Sequence, residues 1–393
     1  MGIDTMEVDR DVTGYLQKQR TSAPQEFAQF YAKFEDLYDR KLWHQLTVAV
    51  EQFVAHPNSG PLLIPLYENF IIDWEKKMNQ LSLVKFSTRA SRQFQDPSQS
   101  LAFISQQADK LKDKPENKDA YVLATMEATH YKLLAGDLEG SKAAIDECEK
   151  ILDELPGTET TINASFYRVS ADYYKAKAAY PQYYHNALLY LSSVSLDDLS
   201  MLEKQERAYE LALSALLGDG LYNFGELLQH PILDTLRTSP VDWLRQLLLC
   251  FNSGDLEGFD RISRTGDFAK QPLLHNSLPF LRQKVCLMTL MESVFKRSKE
   301  ARGQMTFEEI SKETQVHVEE VEHLVMKALS LGLIRGKIDE VDRRVAVSWV
   351  QPRVLDKDQI GTLKNRLTEW SGKVRERVVG LEADDAAKEV YVN

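Results

Sequence analysis

The sequence predicts an all-α-dominated chain: a right-handed helical-repeat solenoid of the tetratricopeptide or HEAT kind, followed by a winged-helix subdomain with a small β-ribbon and a C-terminal helix. Three observations carry this. Apolar residues recur at helical period from about Glu26 to Ile262, with little period-two alternation. Breaks between those runs are spaced like two-helix repeats. Gly and Pro, 18 and 13 among 393 residues, are too scarce for a turn-rich β architecture.

The repeats are read from one pentapeptide. Gly136-Asp137-Leu138-Glu139-Gly140 returns identically as Gly254-Asp255-Leu256-Glu257-Gly258, each time between two apolar helical stretches. Gly then Asp suits a helix stop followed by the N-cap of the next helix. Tyr180 and Gly218 mark related breaks, so Gly136, Tyr180, Gly218 and Gly254 are separated by 44, 38 and 36 residues. A degenerate first unit runs from Phe27 through Asp39-Arg40-Lys41 to Phe53, and Tyr167, Ala171, Tyr174 and Ala178 have packing spacing. The aromatic doublets Phe166-Tyr167, Tyr173-Tyr174 and Tyr183-Tyr184 are expected to fill gaps between helices rather than to cage a ligand. Ser239-Pro240 and the segment from Gln271-Pro272 to Leu278-Pro279 read as loops around one more pair, Val241 to Phe251 and Leu256 to Ile262.

Lys284 to Gln351 is the most informative stretch. Val285, Leu287, Met288, Leu290, Met291, Val294 and Phe295 leave no polar face, which predicts a buried helix. Thr306 and Glu309 form a capping box, with Met305 and Ile310 placed as a hydrophobic staple, so a short helix runs to about Thr314. Val318, Val321, Leu324, Val325, Ala328 and Leu329 make the stripe of the next helix, which Gly332 stops. Leu333 to Ile338 and Arg344 to Val350 are then two strands. Helix, helix-turn-helix and β-ribbon is the order of a winged helix.

Its charge argues against nucleic acid. The second helix of the turn motif offers Glu319, Glu320 and Glu322 against Lys327 alone, and residues 300–350 carry ten acidic and seven basic side chains. Arg343 and Arg344 at the wing sit beside Asp339, Glu340 and Asp342. Packing against protein is the expected use, with those two arginines as candidate contacts and the free ribbon edge able to align with a neighbour's sheet. Beyond Pro352 a helix of about 22 residues is expected from Asp358. Its seam of Ile360, Leu363, Leu367, Trp370, Val374 and Val378 steps by 3, 4, 3, 4 and 4, which predicts a surface for helices of other chains. The expected divisions are a leader (1–20), the solenoid (21–280), the winged helix (281–355), the terminal helix (356–380) and an acidic tail (381–393).

No catalytic, cofactor or metal residues are predicted. Gly218-Asp219-Gly220 lacks the dinucleotide spacing, Gly332 to Gly336-Lys337 is one residue short of a phosphate loop, and Glu319 with His323 lacks the first His of a metalloprotease helix. Cys148, Cys250 and Cys286 have no paired spacing, so a reducing compartment is expected. A net charge of −11, the acidic residues Asp4, Glu7 and Asp9, and the lack of an 18-residue apolar run predict a soluble, intracellular protein.

Three stretches resemble a known family: QHPILDTLRTSPVDWLRQLLLCFNSGDLEGFDRI (229–262), LRQKVCLMTLMESVFKRS (281–298) and MTFEEISKETQVHVEEVEHLVMKALSLGLIRGKIDEVDRRVAVSWVQPRVL (305–355). They are similar to PCI proteins, scaffold subunits of the proteasome lid, the COP9 signalosome and translation initiation factor 3, and most similar to members from the lid. The likeness extends over roughly 11–380. It implies a non-catalytic lid subunit of cytoplasm and nucleus, acting in ubiquitin-dependent degradation. Its winged helix would pack beside those of other PCI subunits, and its last helix would join a shared bundle near the MPN-type deubiquitinase subunit, with a ubiquitin receptor subunit as a further neighbour. No cofactor, nucleic acid or membrane is implied.

Overall fold

The structure, a computed structural model, describes residues 11–155, 157–353 and 357–390, so the start of the expected leader, the 354–356 connection and the last three residues lie outside the described residues. The chain divides into two compact units, Met1–Asp198 and Leu199–Asn393. Helices 201–263, expected to continue the solenoid, thus belong to the unit that carries the winged helix.

The first unit opens with α1 (Val12–Ser22), α2 (Gln25–Asp39) and α3 (Trp43–Ala55). Val12 and Leu16, one helical turn apart, bury α1 in an aromatic core with Phe27, Tyr31, Phe34, Phe53, Phe70 and Trp74, so the segment expected as a leader packs into the fold from residue 12. Phe34 lies at 5.7 Å from Phe70 and 5.8 Å from Phe53, centroid to centroid. A helix from Gly60 to Leu66 loosens into a π turn over Tyr67–Ile71, just beyond Pro65, whose ring cannot donate to the helical ladder.

Paired helices follow: α4 (Gln80–Ser91), α5 (Pro97–Leu111), α6 (Lys118–Leu134), α7 (Leu138–Glu154), α8 (Thr160–Ala176) and α9 (Tyr180–Ser193). The repeated pentapeptide works as one device in both places. Gly136 takes φ +86° and the Asp137 carboxylate accepts the Gly140 N–H at 2.9 Å, starting α7. Gly254 takes φ +69° and Asp255 accepts the Gly258 N–H at 2.9 Å. The buried stripe of α8 is Ile162, Phe166, Val169 and Tyr173, against Val122, Met126, Ile145 and Cys148. The expected stripe lies one residue aside. Ala178 falls beyond the helix at φ +54°, and Tyr167 and Tyr174 flank the core half-exposed.

In the second unit α10 (Met201–Leu217) starts on a capping box of Ser200 and Glu203. The break at Gly218 opens into extended chain, a short helix (Gly225–Gln229) and a 3-10 stretch (Pro231–Thr238) instead of a full partner helix. Then come α11 (Asp242–Ser253), α12 (Leu256–Ser263) and α13 (Leu278–Lys296). Pro272 and Pro279, expected in loops, each open a helix, where the missing N–H costs nothing.

α13 is the centre of this unit. Val285, Met288 and Val294 are fully buried, as its all-round apolar pattern predicts. Lys284 was not expected there. Its ammonium, 1% exposed, donates to the carbonyls of Ala215 (2.8 Å), Leu216 (3.0 Å) and Gly218 (2.7 Å), filling the acceptors left open at the end of α10. The rings of Tyr222, Phe224 and Phe280 stand 5.3–5.7 Å from it. Burial pushes its pKa down to about 7, against a weaker upward pull from Asp219.

Candidate docking surfaces on the winged helix and the terminal helix

After α13 the chain builds β1 (Met305–Thr306), α14 (Phe307–Thr314), α15 (Val318–Ser330), β2 (Ile334–Asp339) and β3 (Arg344–Val350), then the long α16 (Lys357–Val390). The Thr306 and Glu309 capping box forms, and Met305 and Ile310 are both buried. Gln315, at φ +52°, turns the chain from α14 into α15.

The sheet has the order β1-β3-β2, all antiparallel. The ribbon was expected to have two strands, and two residues of β1 were too few to read as a strand. They pair Met305 with Val345 and Thr306 with Arg344, which covers one edge of β3 near the wing and leaves the outer edge of β2 unpaired among the described strands. Between Arg335 and Gly336 the register slips by one, with Ser348 as the extra residue of a bulge whose hydroxyl bonds to the Arg335 carbonyl at 3.1 Å. Only glycine fits at 336: a Cβ there would lie 2.2 Å from the Ala346 carbonyl oxygen.

The exposed surface of this subdomain is acidic and apolar. Glu319, Glu320, His323, Met326 and Lys327 face solvent on α15, and Glu322 is half-exposed. Such a face repels phosphate in a groove that a reading helix would have to enter. At the wing the Arg343 carbonyl accepts the Phe307 N–H at 3.0 Å, so the backbone of this left-handed residue (φ +50°) ties the turn to the start of α14. The side chains of Arg343 and Arg344 are exposed beside Val341 at the tip, which is 94% exposed. The Arg335 guanidinium stacks 4.7 Å above the Trp349 ring.

The chain is pinned where it leaves the sheet. Arg353, just past the sheet, pairs with the buried carboxylate of Glu292 on α13 and donates to the Asn252 carbonyl at 3.2 Å. Arg302 likewise donates to the carbonyls of Phe295 (2.8 Å) and Arg297 (3.0 Å), closing the end of α13. Beyond this α16 is bare. It runs 34 residues, about 50 Å, longer than the 22 expected, because nothing in 381–390 stops a helix. Every described side chain from Ile360 to Leu381 is exposed, including the whole seam of Ile360, Leu363, Leu367, Trp370, Val374 and Val378. Leu367 is 55% and Trp370 65% exposed.

Cys286 and His323 line one open hollow between α13 and α15, together with His317 and Glu320. Glu319 and His323 point outward on α15, burial raises the Cys286 thiol, and no group of three or more metal-ligating side chains occurs among the described residues. No described helix is long and apolar enough to cross a membrane.

Comparison with known proteins covers nearly the whole length. Residues 30–248 match the family model PSD13 N-terminal repeats, and 264–349 match the PCI domain. The probable 26S proteasome regulatory subunit rpn9 of Schizosaccharomyces pombe is 41% identical, aligned over 94% of this chain and 95% of its own. The chain belongs to the 26S proteasome non-ATPase regulatory subunit 13 family. Other relatives agree: homolog B of subunit 13 from Arabidopsis thaliana is 38% identical over 94% of this chain and 97% of its own, and regulatory subunit RPN9 of Saccharomyces cerevisiae is 38% identical over 95% and 98%. Within the subunit 13 family the two matched regions account for the paired helices and for the winged helix with its sheet. The PCI match ends at 349, before α16.

Proposed function

We propose that this chain is a non-catalytic scaffold subunit of the lid of the 26S proteasome regulatory particle, docking through α16 and the winged helix onto other PCI and MPN subunits, with a ubiquitin receptor subunit as a further neighbour. The observation that carries the reading is the wet seam of α16. Burying a Leu, Ile or Val side chain is worth roughly 1.5–3 kcal/mol. With about half of each seam residue still to be covered, docking gains about 1 kcal/mol per residue, and Trp370 at mid-seam has the character of a hot spot. The seam's 3-4 spacing suits helices as occupants. On the winged helix, the unpaired edge of β2 and the unpaired Arg343 and Arg344 suit a protein neighbour better than a polyanion, given the acidic face of α15. The same proposal has the chain working in cytoplasm and nucleus.

The test is a tagged chain carrying Leu367→Asp and Trp370→Asp. Both sites are exposed, so the fold should melt as the wild type does while co-purification of other proteasome subunits is lost. A doubly substituted chain that still enters the complex in full yield would defeat the proposal.

A further inference from the structure

In the first unit, far along the sequence from the winged helix, α7, α8 and α9 enclose a pocket of about 320 Å³. Its lining mixes aliphatic and amide side chains and His185 of α9 with two kinds of group that bear on a cationic ligand. The rings of Phe166, Tyr167 and Tyr174 line it, and the exposed Glu149 and Asp153 line it without an ion-pair partner among the described residues. On the pocket wall, Ser170 is 1% exposed and its hydroxyl has no hydrogen-bond partner, a cost that natural interiors rarely leave standing. Tyr174 already attracts one cation, since the Lys142 ammonium lies 5.8 Å from its ring centre while paired with Asp146.

We propose that this pocket receives an arginine side chain from a partner protein. A planar guanidinium stacks on tyrosine and phenylalanine faces and pairs with carboxylates through its fork of donors, so it satisfies both kinds of wall. The volume lies at the lower end of ligand pockets, enough for one side chain and too small for a folded element. The pair of carboxylates selects against the neutral analogue of the same shape. The site is separate from the α16 seam, and it stands or falls independently of the scaffold reading.

The probe is N-acetyl-arginine methylamide, with the uncharged N-acetyl-citrulline methylamide as its control, each titrated into the full chain by saturation-transfer NMR. The arginine probe should bind saturably and about tenfold more tightly than citrulline, the combined worth of one stacked and one paired charge. Glu149→Gln with Asp153→Asn should abolish that preference. Asp109→Asn with Asp113→Asn, an exposed acidic pair elsewhere in the unit, should leave it intact and so separates the pocket from the general attraction of an acidic chain. Equal binding of the two probes, no saturable binding, or equal losses in both double variants would each overturn the proposal.

Discussion

Replacing Lys284 by methionine tests how the winged helix is mounted on the helices before it. Methionine is unbranched and only one atom shorter, so packing is largely preserved, but three carbonyls at the end of α10 lose their donor. Each buried acceptor left open costs about 1–3 kcal/mol, while removing a buried charge returns part of that. The net loss should be about 2–4 kcal/mol in the second unit. It is read from urea unfolding followed by a probe in that unit, with the first unit's transition unmoved. The pH dependence has a defined sign. Lys284 is held at about 7 in the folded state against 10.5 in the free side chain. Below pH 7 both states carry the proton and the cost of burying it is fully present. As the pH rises from about 7 towards 10.5, the folded state sheds the proton first, so stability rises, by at most about 1.4 kcal/mol per pH unit. The methionine variant should lack this rise. A loss below about 1 kcal/mol, or the same pH slope in both proteins, would refute the clamp.

Two further substitutions probe the mount and the wing. Arg353→Ala leaves the Glu292 carboxylate buried with only the exposed Lys296 ammonium (3.5 Å) for compensation, and should cost about 3 kcal/mol by thermal unfolding. Gly336→Ala forces a methyl into the Ala346 carbonyl and should cost about 2–4 kcal/mol or release the β2–β3 register, visible as faster amide exchange at Val345 and Val347, while Gly303→Ala, with its nearest atom at 3.4 Å, should change little.

The sequence by itself determined the order of elements and the class of fold, because the information is local. A capping box at Thr306 and Glu309, a glycine stop at 332, and a stripe from Val318 to Leu329 each act within a few residues, and the twin pentapeptides announce the helix hand-overs. The acidic cast of α15 was equally legible from residue types. The tertiary structure decided what depends on residues far apart in the chain. Lys284 looks like a surface residue until α10, more than sixty positions earlier, brings three carbonyls to it; Arg353 finds Glu292 in the same way. The strand β1 exists only because β3 lies beside it, and Gly336 is required only because the Ala346 carbonyl crosses there. The pocket of Tyr167, Tyr174 and Glu149 is likewise a product of three helices meeting. Spacing along the chain shows that the α16 seam is apolar; only the folded unit shows that its own core leaves that seam uncovered.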